Sequence, residues 1–418
     1  MTTVSRRRFF GMTVAGAALA ASAKAATAAP QTASLQPLAD NAQPITAEER
    51  AGRIAKIQGL MQQQKVAALL VEAGSSLDYF TGITWWRSER TTAALIPAQG
   101  KTVVVTPFFE VPSVQESLKV DADIRPWHED QSPFALIAGA LKGATPADGP
   151  LAIEATTRAF IIEGVRKASA RERLVILGDE LVNACRMFKA PAEIALMQTA
   201  NDVTIAAIRH VHGRIEAGMT GTDIHRMMAE TTAALGGRNF FALVLLNEAS
   251  AYPHGTEKPQ AIREGSTVLI DTGCTVHGYA SDISRTWAFG SPSARQREVW
   301  DTVKRGQELA LENAKIGLPV GDVDNAVRAY YESRGWAKDY GLPGTSHRTG
   351  HGIGMDGHEP PNLMRADRTP LQAGMCFSDE PGIYIPGEFG IRMEDCWHMT
   401  EQGPKLFTPL AKSIDDPI

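Results

Sequence analysis

Four carboxylates set against apolar, β-forming runs constrain this chain more than any other feature. Asp271 ends the run STVLID, and Asp282 sits in GYASDISRT, where the next such run opens. Glu380 lies in FSDEPG and Glu394 in RMED, both beside strand-like segments. A carboxylate next to a β-branched or apolar strand is costly to bury unless it is paired or bound to a metal. Any one of the four would pass as a turn or surface residue. All four, together with a glycine-flanked histidine, point to a site.

The histidine belongs to HRTGHGIGMDGHEPP (347–361), which holds three of the chain's ten histidines. His347 and His351 are spaced i, i+4, like a zinc pair on one helix face. Gly350, Gly352, Gly354 and Gly357 are interleaved with them and make a helix there unfavourable. Locally, these residues are metal ligands, acid–base groups or merely a busy loop. Four carboxylates and one imidazole bring about four negative charges at neutral pH. Two divalent cations would neutralise that charge and hold a bridging hydroxide. Such a hard, oxygen-rich set suits Mn²⁺ first, with Zn²⁺, Co²⁺ or Fe²⁺ as alternatives, rather than a thiolate-bound structural zinc. Paired metals lower the pKa of a shared water and polarise a carbonyl together.

The chain begins differently. Arginines at 6, 7 and 8 precede a small-residue apolar run from Phe9 to Ala23 and several A-x-A sites. This pattern is expected of a signal peptide over residues 1–29, with cleavage near Ala25. Ser5-Arg6-Arg7-Arg8-Phe9-Phe10 resembles the twin-arginine type. The run falls short of the roughly 18–20 residues that span a bilayer. Export to the periplasm or medium is the expectation, with no stable membrane span once the signal is removed. Residues 30–47 are rich in Ala, Pro and Gln and look like a linker.

From residue 48 to 184, AGRIAKIQGLMQQQ suits an amphipathic helix, and VAALLVE, TAALIP and KTVVVTPF suit buried strands. FALIAGAL and TRAFIIEGVRKASA are further helices, with the short strands LAIE and LVIL among them. This alternation predicts a small α/β domain. Residues 185–412 differ. Pro191 opens a long helix, and TGTDIHRMMAETTAALGG is a second, capped by Thr222 or Asp223. Strands NFFALVLLN, STVLID and SDISRTWAFG follow. Two more helices, ARQREVWDTVKRGQELALENA and DVDNAVRAYYESRGW, then precede the Gly/His-rich section and final strands. Two helices followed by strands, twice over, predict an internally duplicated α+β unit.

Several other signals carry less. GIGMDG matches GxGxxG formally, but no apolar strand precedes it and HEPP, not a helix, follows, so it is not expected to be a dinucleotide loop. No G-x-S-x-G elbow is present. His210, His212 and His225 lie on helices without partners at ligand spacing. The net charge of −5 gives no reason to expect a nucleic-acid partner. Four scattered cysteines form no CxxC pair, although Cys376 and Cys396 sit on the strands that carry the two glutamates.

DTGCTVHGYASDISRTW, HRTGHGIGMDGHEPP, SDEPGIYIPGEFGIRMED and YPHG together resemble the pita-bread metallopeptidases, the superfamily of Xaa-Pro aminopeptidase, prolidase and creatinase. SSLDYFTG (75–82) resembles that family's creatinase-like N-terminal domain. The resemblance implies a pita-bread α+β catalytic domain, with duplicated ααβ units, preceded by the smaller α/β domain. It implies that Asp271 chelates one metal, that Asp282 and Glu394 bridge two, and that His351 and Glu380 complete the second. His254 and His358 would bind substrate and the developing oxyanion, and His347 would line the pocket. Arg392 would orient carboxylates, and Glu380 would shuttle a proton. A bridging hydroxide would then cleave the bond before proline in a peptide, and the enzyme would be a homodimer. Trp85-Trp86-Arg87 falls in a region that in this family can reach a neighbouring subunit's site. Lyase members of the fold that act on dimethylsulfoniopropionate carry an extra acidic ligand two residues after the first Asp, where this chain has Gly273. Creatinase-like chemistry needs no metal, against which the intact ligand set argues, and a non-catalytic binding protein would have lost ligands.

Overall fold

The computed structural model describes residues 35–169, 174–256 and 258–418. The expected signal peptide and the first part of the linker lie outside the described residues. Among those described, no helix is long and apolar enough to cross a membrane. The rest of the linker is docked. Leu38 N–H donates to the Leu235 carbonyl at 2.9 Å, and Ile45 is buried with Leu196 and Tyr279.

Helix α1 (Ala47–Gln63) starts on a capping box in which Thr46 and Glu49 satisfy each other's backbone N–H groups. Strand β1 (Ala68–Glu72) leads into α2 (Ser75–Thr81). Strands β2 (Ala93–Pro97) and β3 (Thr102–Pro107), helix α3 (Val111–Ser117) and strand β4 (Ala122–Trp127) follow. Then come α4 (Pro133–Leu141), β5 (Leu151–Ile153), α5 (Ala159–Ala168), β6 (Val175–Leu177) and α6 (Asp179–Arg186). The strands form one mixed sheet in the order β4-β3-β2-β1-β5-β6. Strands β1 to β3 are buried at every position, because helices cover both faces. Ile57, Phe80 and Leu181 pack on one face, and Ile137, Leu141, Ile161 and Val165 on the other. Helix α6 carries the chain across residue 184, the expected domain limit.

Helices α7 (Pro191–His212) and α8 (Gly221–Ala234) precede β7 (Arg238–Leu246), β8 (Thr267–Val276), β9 (Tyr279–Ala280) and β10 (Ile283–Ala288). The cap of α8 is Thr220, reciprocated by Asp223; Thr222 lies inside the first turn. The pattern then repeats, with α9 (Ala294–Asn313) and α10 (Val320–Ser333) ahead of a second set of strands. These are β11 (Gly350–Gly352), β12 (Glu359–Leu363), β13 (Cys376–Asp379), β14 (Gly382–Tyr384), β15 (Gly390–Arg392), β16 (Asp395–Thr400) and β17 (Gly403–Leu406). The first half packs α7 and α8 on a β10-β8-β7 sheet around Ile208, Met228 and Ile270. The second packs α9 and α10 on β12-β11-β13-β16-β17 around Trp300, Val327 and Phe377. This is the duplicated pita-bread arrangement. The halves join where Ser284 and Glu394 exchange backbone hydrogen bonds, at 3.3 and 3.1 Å. The four cysteines are free; Cys376 is in register with His398 and Cys396 with Ser378.

Candidate active site

The seam between the halves is where the carboxylates meet. Asp271 does not end its strand: β8 runs on to Val276, because it has partners on both sides, Leu243 of β7 and Ser284 of β10 facing Asp271 itself. Asp282 immediately precedes β10, Glu380 follows β13 and Glu394 precedes β16. Each therefore sits at or beside a strand whose backbone is pinned by a ladder.

Ligating atoms of Asp271, Asp282 and Glu394 lie within 4.8 Å of one another, and so do those of His351, Glu380 and Glu394. Glu394 is common to both groups. His351, 1% exposed, donates from Nδ1 to the Gly352 carbonyl at 3.1 Å. That bond leaves the Nε2 lone pair facing Glu380 at 3.5 Å and Asp282 at 3.8 Å. One oxygen each of Asp271 and Asp282 is buried without a hydrogen-bond partner. Unpaired buried carboxylate oxygens are costly, and both residues belong to one group with Glu394, with Asp282 also within ligand distance of His351. The set fits hard divalent cations.

Electrostatics agree with the geometry. Burial, then the neighbouring carboxylates, pushes the acids of Asp282 and Glu394 far above the usual range. Burial raises Glu380 to about 7, with Arg392 opposing and Asp271 adding to the rise. Arg392, 4% exposed, is the counterweight. It donates to Asp271 Oδ2 at 2.5 Å, to Ser284 Oγ at 3.0 Å and to Tyr384 Oη at 3.1 Å. Ser284 in turn donates to Glu394 Oε2 at 2.8 Å.

The histidines crowd one wall of a cavity of about 580 Å³ lined by His254, His347, His351, His358 and the carboxylates. The His351 and His358 rings are 4.0 Å apart. His358 also comes within ligand distance of Asp282 and His351, so it abuts the carboxylates directly. His347 donates from Nδ1 to the Arg348 carbonyl at 2.8 Å, and its Nε2 accepts from Tyr384 Oη at 2.7 Å. Burial first, then Arg392, lowers the His347 pKa to about 3 and so keeps the ring neutral. His210, His212 and His225 stay on their helices, the last two packed on Trp287 and Phe240. Trp85 and Trp86 stack at 5.1 Å with Trp86 69% exposed.

Three residues of this network were not singled out from the sequence: Tyr384, Ser284 and Arg348. Arg348 Nη2 reaches His358 Nδ1 at 3.3 Å. Tyr384 finds Arg392 only through the β14–β15 register, which pairs Tyr384 with Gly390 and Gly382 with Arg392. Spacing along the chain does not reveal that diagonal. Position 273 is closed to side chains: a Cβ there would collide with the Ser281 carbonyl and lie 2.6 Å from the Phe241 ring. An extra acidic ligand has no room.

Comparisons with known proteins follow the same division of the chain. Residues 195–401 match the metallopeptidase family M24 model, and 53–188 match the Creatinase/Prolidase N-terminal domain. A probable dipeptidase PepE of Mycobacterium bovis is 32% identical over 365 residues, covering 85% of this chain and 94% of the relative. The chain belongs to metallopeptidase family M24. Another relative of this M24 chain, a Xaa-Pro dipeptidase of Lactobacillus helveticus, is 29% identical over 86% of this chain and 97% of its own. The crystal structure of a prolidase from Thermococcus sibiricus superimposes on the M24 chain with a TM-score of 0.79 and 25% identity, covering 86% and 97%.

Proposed function

We propose that this metallopeptidase is an exported exopeptidase that holds two divalent cations and hydrolyses the peptide bond before proline. The observation that carries it is the pair of ligand groups sharing Glu394 beneath a histidine-walled cavity. The name and similarity of the Lactobacillus Xaa-Pro dipeptidase support the substrate class. When bound, two divalent cations, manganese first among them, would polarise the scissile carbonyl and lower the pKa of a water. Asp271, Asp282 and Glu394 would hold one and His351, Glu380 and Glu394 the other, with Asp282 and Glu394 between them.

The chain's own groups supply the rest. Glu380, grouped with His351 and Glu394, takes a proton from the attacking water and returns it to the leaving nitrogen. His254 and His358 donate to the carbonyl oxygen as charge develops on it. Phe241, Leu243, Pro253 and Met364 give the cavity an apolar side for a pyrrolidine ring. The tertiary amide before proline lacks the N–H that other peptides offer, so ring shape is what such a pocket selects. Arriving by a twin-arginine route, the protein would cross the membrane folded, and it would act as a homodimer.

The test uses the mature chain, its bound metal measured, with added Mn²⁺ and a panel of Xaa-Pro dipeptides and longer Xaa-Pro peptides. Hydrolysis before proline is expected. Metal-loaded protein that cleaves none of the panel would overturn the reading.

A further inference from the structure

The turn that presents His358 is held by buried charge. Between β11 and β12 the chain reads IGMDGH (353–358), where Ile353 is buried in the core and Met355 packs against it, while Asp356, Gly357 and His358 bring no aliphatic side chain. Glu359, 6% exposed, closes this turn. Its Oε1 accepts from Arg186 Nη2 at 2.5 Å and from the Met355 and Asp356 N–H groups at 2.9 and 3.0 Å. Its Oε2 accepts from Lys189 Nζ at 3.1 Å. Arg186 also donates to Asp356 at 2.8 Å and to the Ser75 and Ser76 hydroxyls at 3.0 and 2.9 Å. A Cβ on Gly354 would lie 2.7 Å from the Glu359 carboxylate and 2.8 Å from Lys189 Cε, so the turn packs too closely on the clamp to admit a side chain there.

The partners come from different domains. Arg186 ends α6, and Ser75 and Ser76 open α2, both within the matched N-terminal domain. Glu359 opens β12, directly after His358 and in register with Gly352, the neighbour of His351. Burial opposes ionisation of Glu359, but Lys189 and Arg186 outweigh it and hold its pKa at about 2. Buried ion pairs gain little stability over apolar packing of the same volume. What a guanidinium fork does well is fix direction, because its donors leave in set orientations.

We propose that Arg186 and Glu359 are positioning residues through which the N-terminal domain sets the place of His358 beside His351. The effect on turnover rests on the reading that His358 receives the substrate carbonyl, whereas the effect on histidine placement does not. A cavity of about 480 Å³ lined by Arg186, Asp356, His358 and Glu359 adjoins the clamp, giving a small cation access to it.

The experiment uses the full mature chain as Arg186→Ala, Arg186→Lys and Glu359→Gln, with methylguanidinium as the rescuing probe. In metal-loaded Arg186→Ala, kcat on a Xaa-Pro peptide is expected to fall about 10–100-fold, with KM and bound metal little changed. Methylguanidinium should restore part of it. Arg186→Lys should recover melting temperature but not kcat, since one ammonium cannot span Glu359, Asp356 and both serines. In metal-free protein with ¹³Cε1-labelled histidines, the His358 and His351 signals should move in Arg186→Ala and in Glu359→Gln, and return in the former with methylguanidinium. Unmoved histidine signals in both variants would overturn the proposal; moved signals with unchanged kcat in Arg186→Ala would uphold the clamp and count against His358 as the group that receives the carbonyl. An inactive wild type would count against the peptidase reading alone, with the labelled histidines then deciding the clamp.

Discussion

Glu380→Gln should stabilise the metal-free chain at neutral pH while destroying its capacity to hold metal. Burial raises the Glu380 carboxyl from an ordinary 4.5 to about 7. A carboxyl whose pKa is higher folded than unfolded leaves the folded state holding more protons between the two values. Its contribution is therefore fully present below about 4.5 and is lost as pH rises to about 7. That interval, at 1.36 kcal/mol per pH unit, amounts to roughly 3 kcal/mol. Glutamine keeps the shape and does not titrate. Glu380 also adds to the upward push on Asp282 and Glu394, so neutralising it relieves them in the same direction.

The assay is urea unfolding of wild type and variant in excess chelator, from about pH 4.5 to about pH 8. The curves should coincide at the acid end. Above neutrality the variant should be the more stable, by up to roughly 3 kcal/mol. Adding Mn²⁺ should invert the order, because only the wild type gains the free energy of ligation. Parallel stability curves, or wild-type stability that rises across the interval without metal, would refute the reasoning.

Asp282→Asn should lose bound metal and activity with the fold intact, read by metal analysis and circular dichroism; near-normal turnover would refute a bridging role. Tyr384→Phe removes the hydroxyl between His347 and Arg392 and strands His347 Nε2. It should cost about 1–2 kcal/mol and raise KM, with the melting curve and peptide kinetics as readouts. Gly273→Asp should destabilise by at least about 2 kcal/mol through collision with Ser281 and Phe241, and should bind no additional metal. Unchanged urea midpoints would show that the strand can make room.

Much of the architecture was legible because period and burial leave a local record. The continuous apolar runs of β1, β2 and β3 announced strands covered on both faces, and Pro191 marked the start of α7. Boundaries were less legible where tertiary pairing extends an element. Asp271 looked like a strand end because a carboxylate is a poor central-strand residue, yet β7 and β10 carry the strand past it on either side. The α8 cap is Thr220, ahead of both expected candidates, Thr222 and Asp223, since Thr220 and Asp223 satisfy each other at the true start. Residues 35–45, read as linker from their composition, find their partners on Leu235 and Leu196, far along the chain.

The residue types of the site were set by the sequence alone. Carboxylates beside apolar strands are costly to bury unless paired or metal-bound, so four of them with a glycine-flanked histidine already pointed to a site. Their convergence was decided by the duplicated fold, which meets at the Ser284–Glu394 backbone exchange and brings residues from 271 to 394 within ligand reach. Only that packing could show that Arg392 balances Asp271, that Tyr384 ties it to His347, and that Arg186 reaches from another domain to the turn carrying His358. Such pairings run across registers and domain boundaries, where distance along the chain holds no information about distance in space.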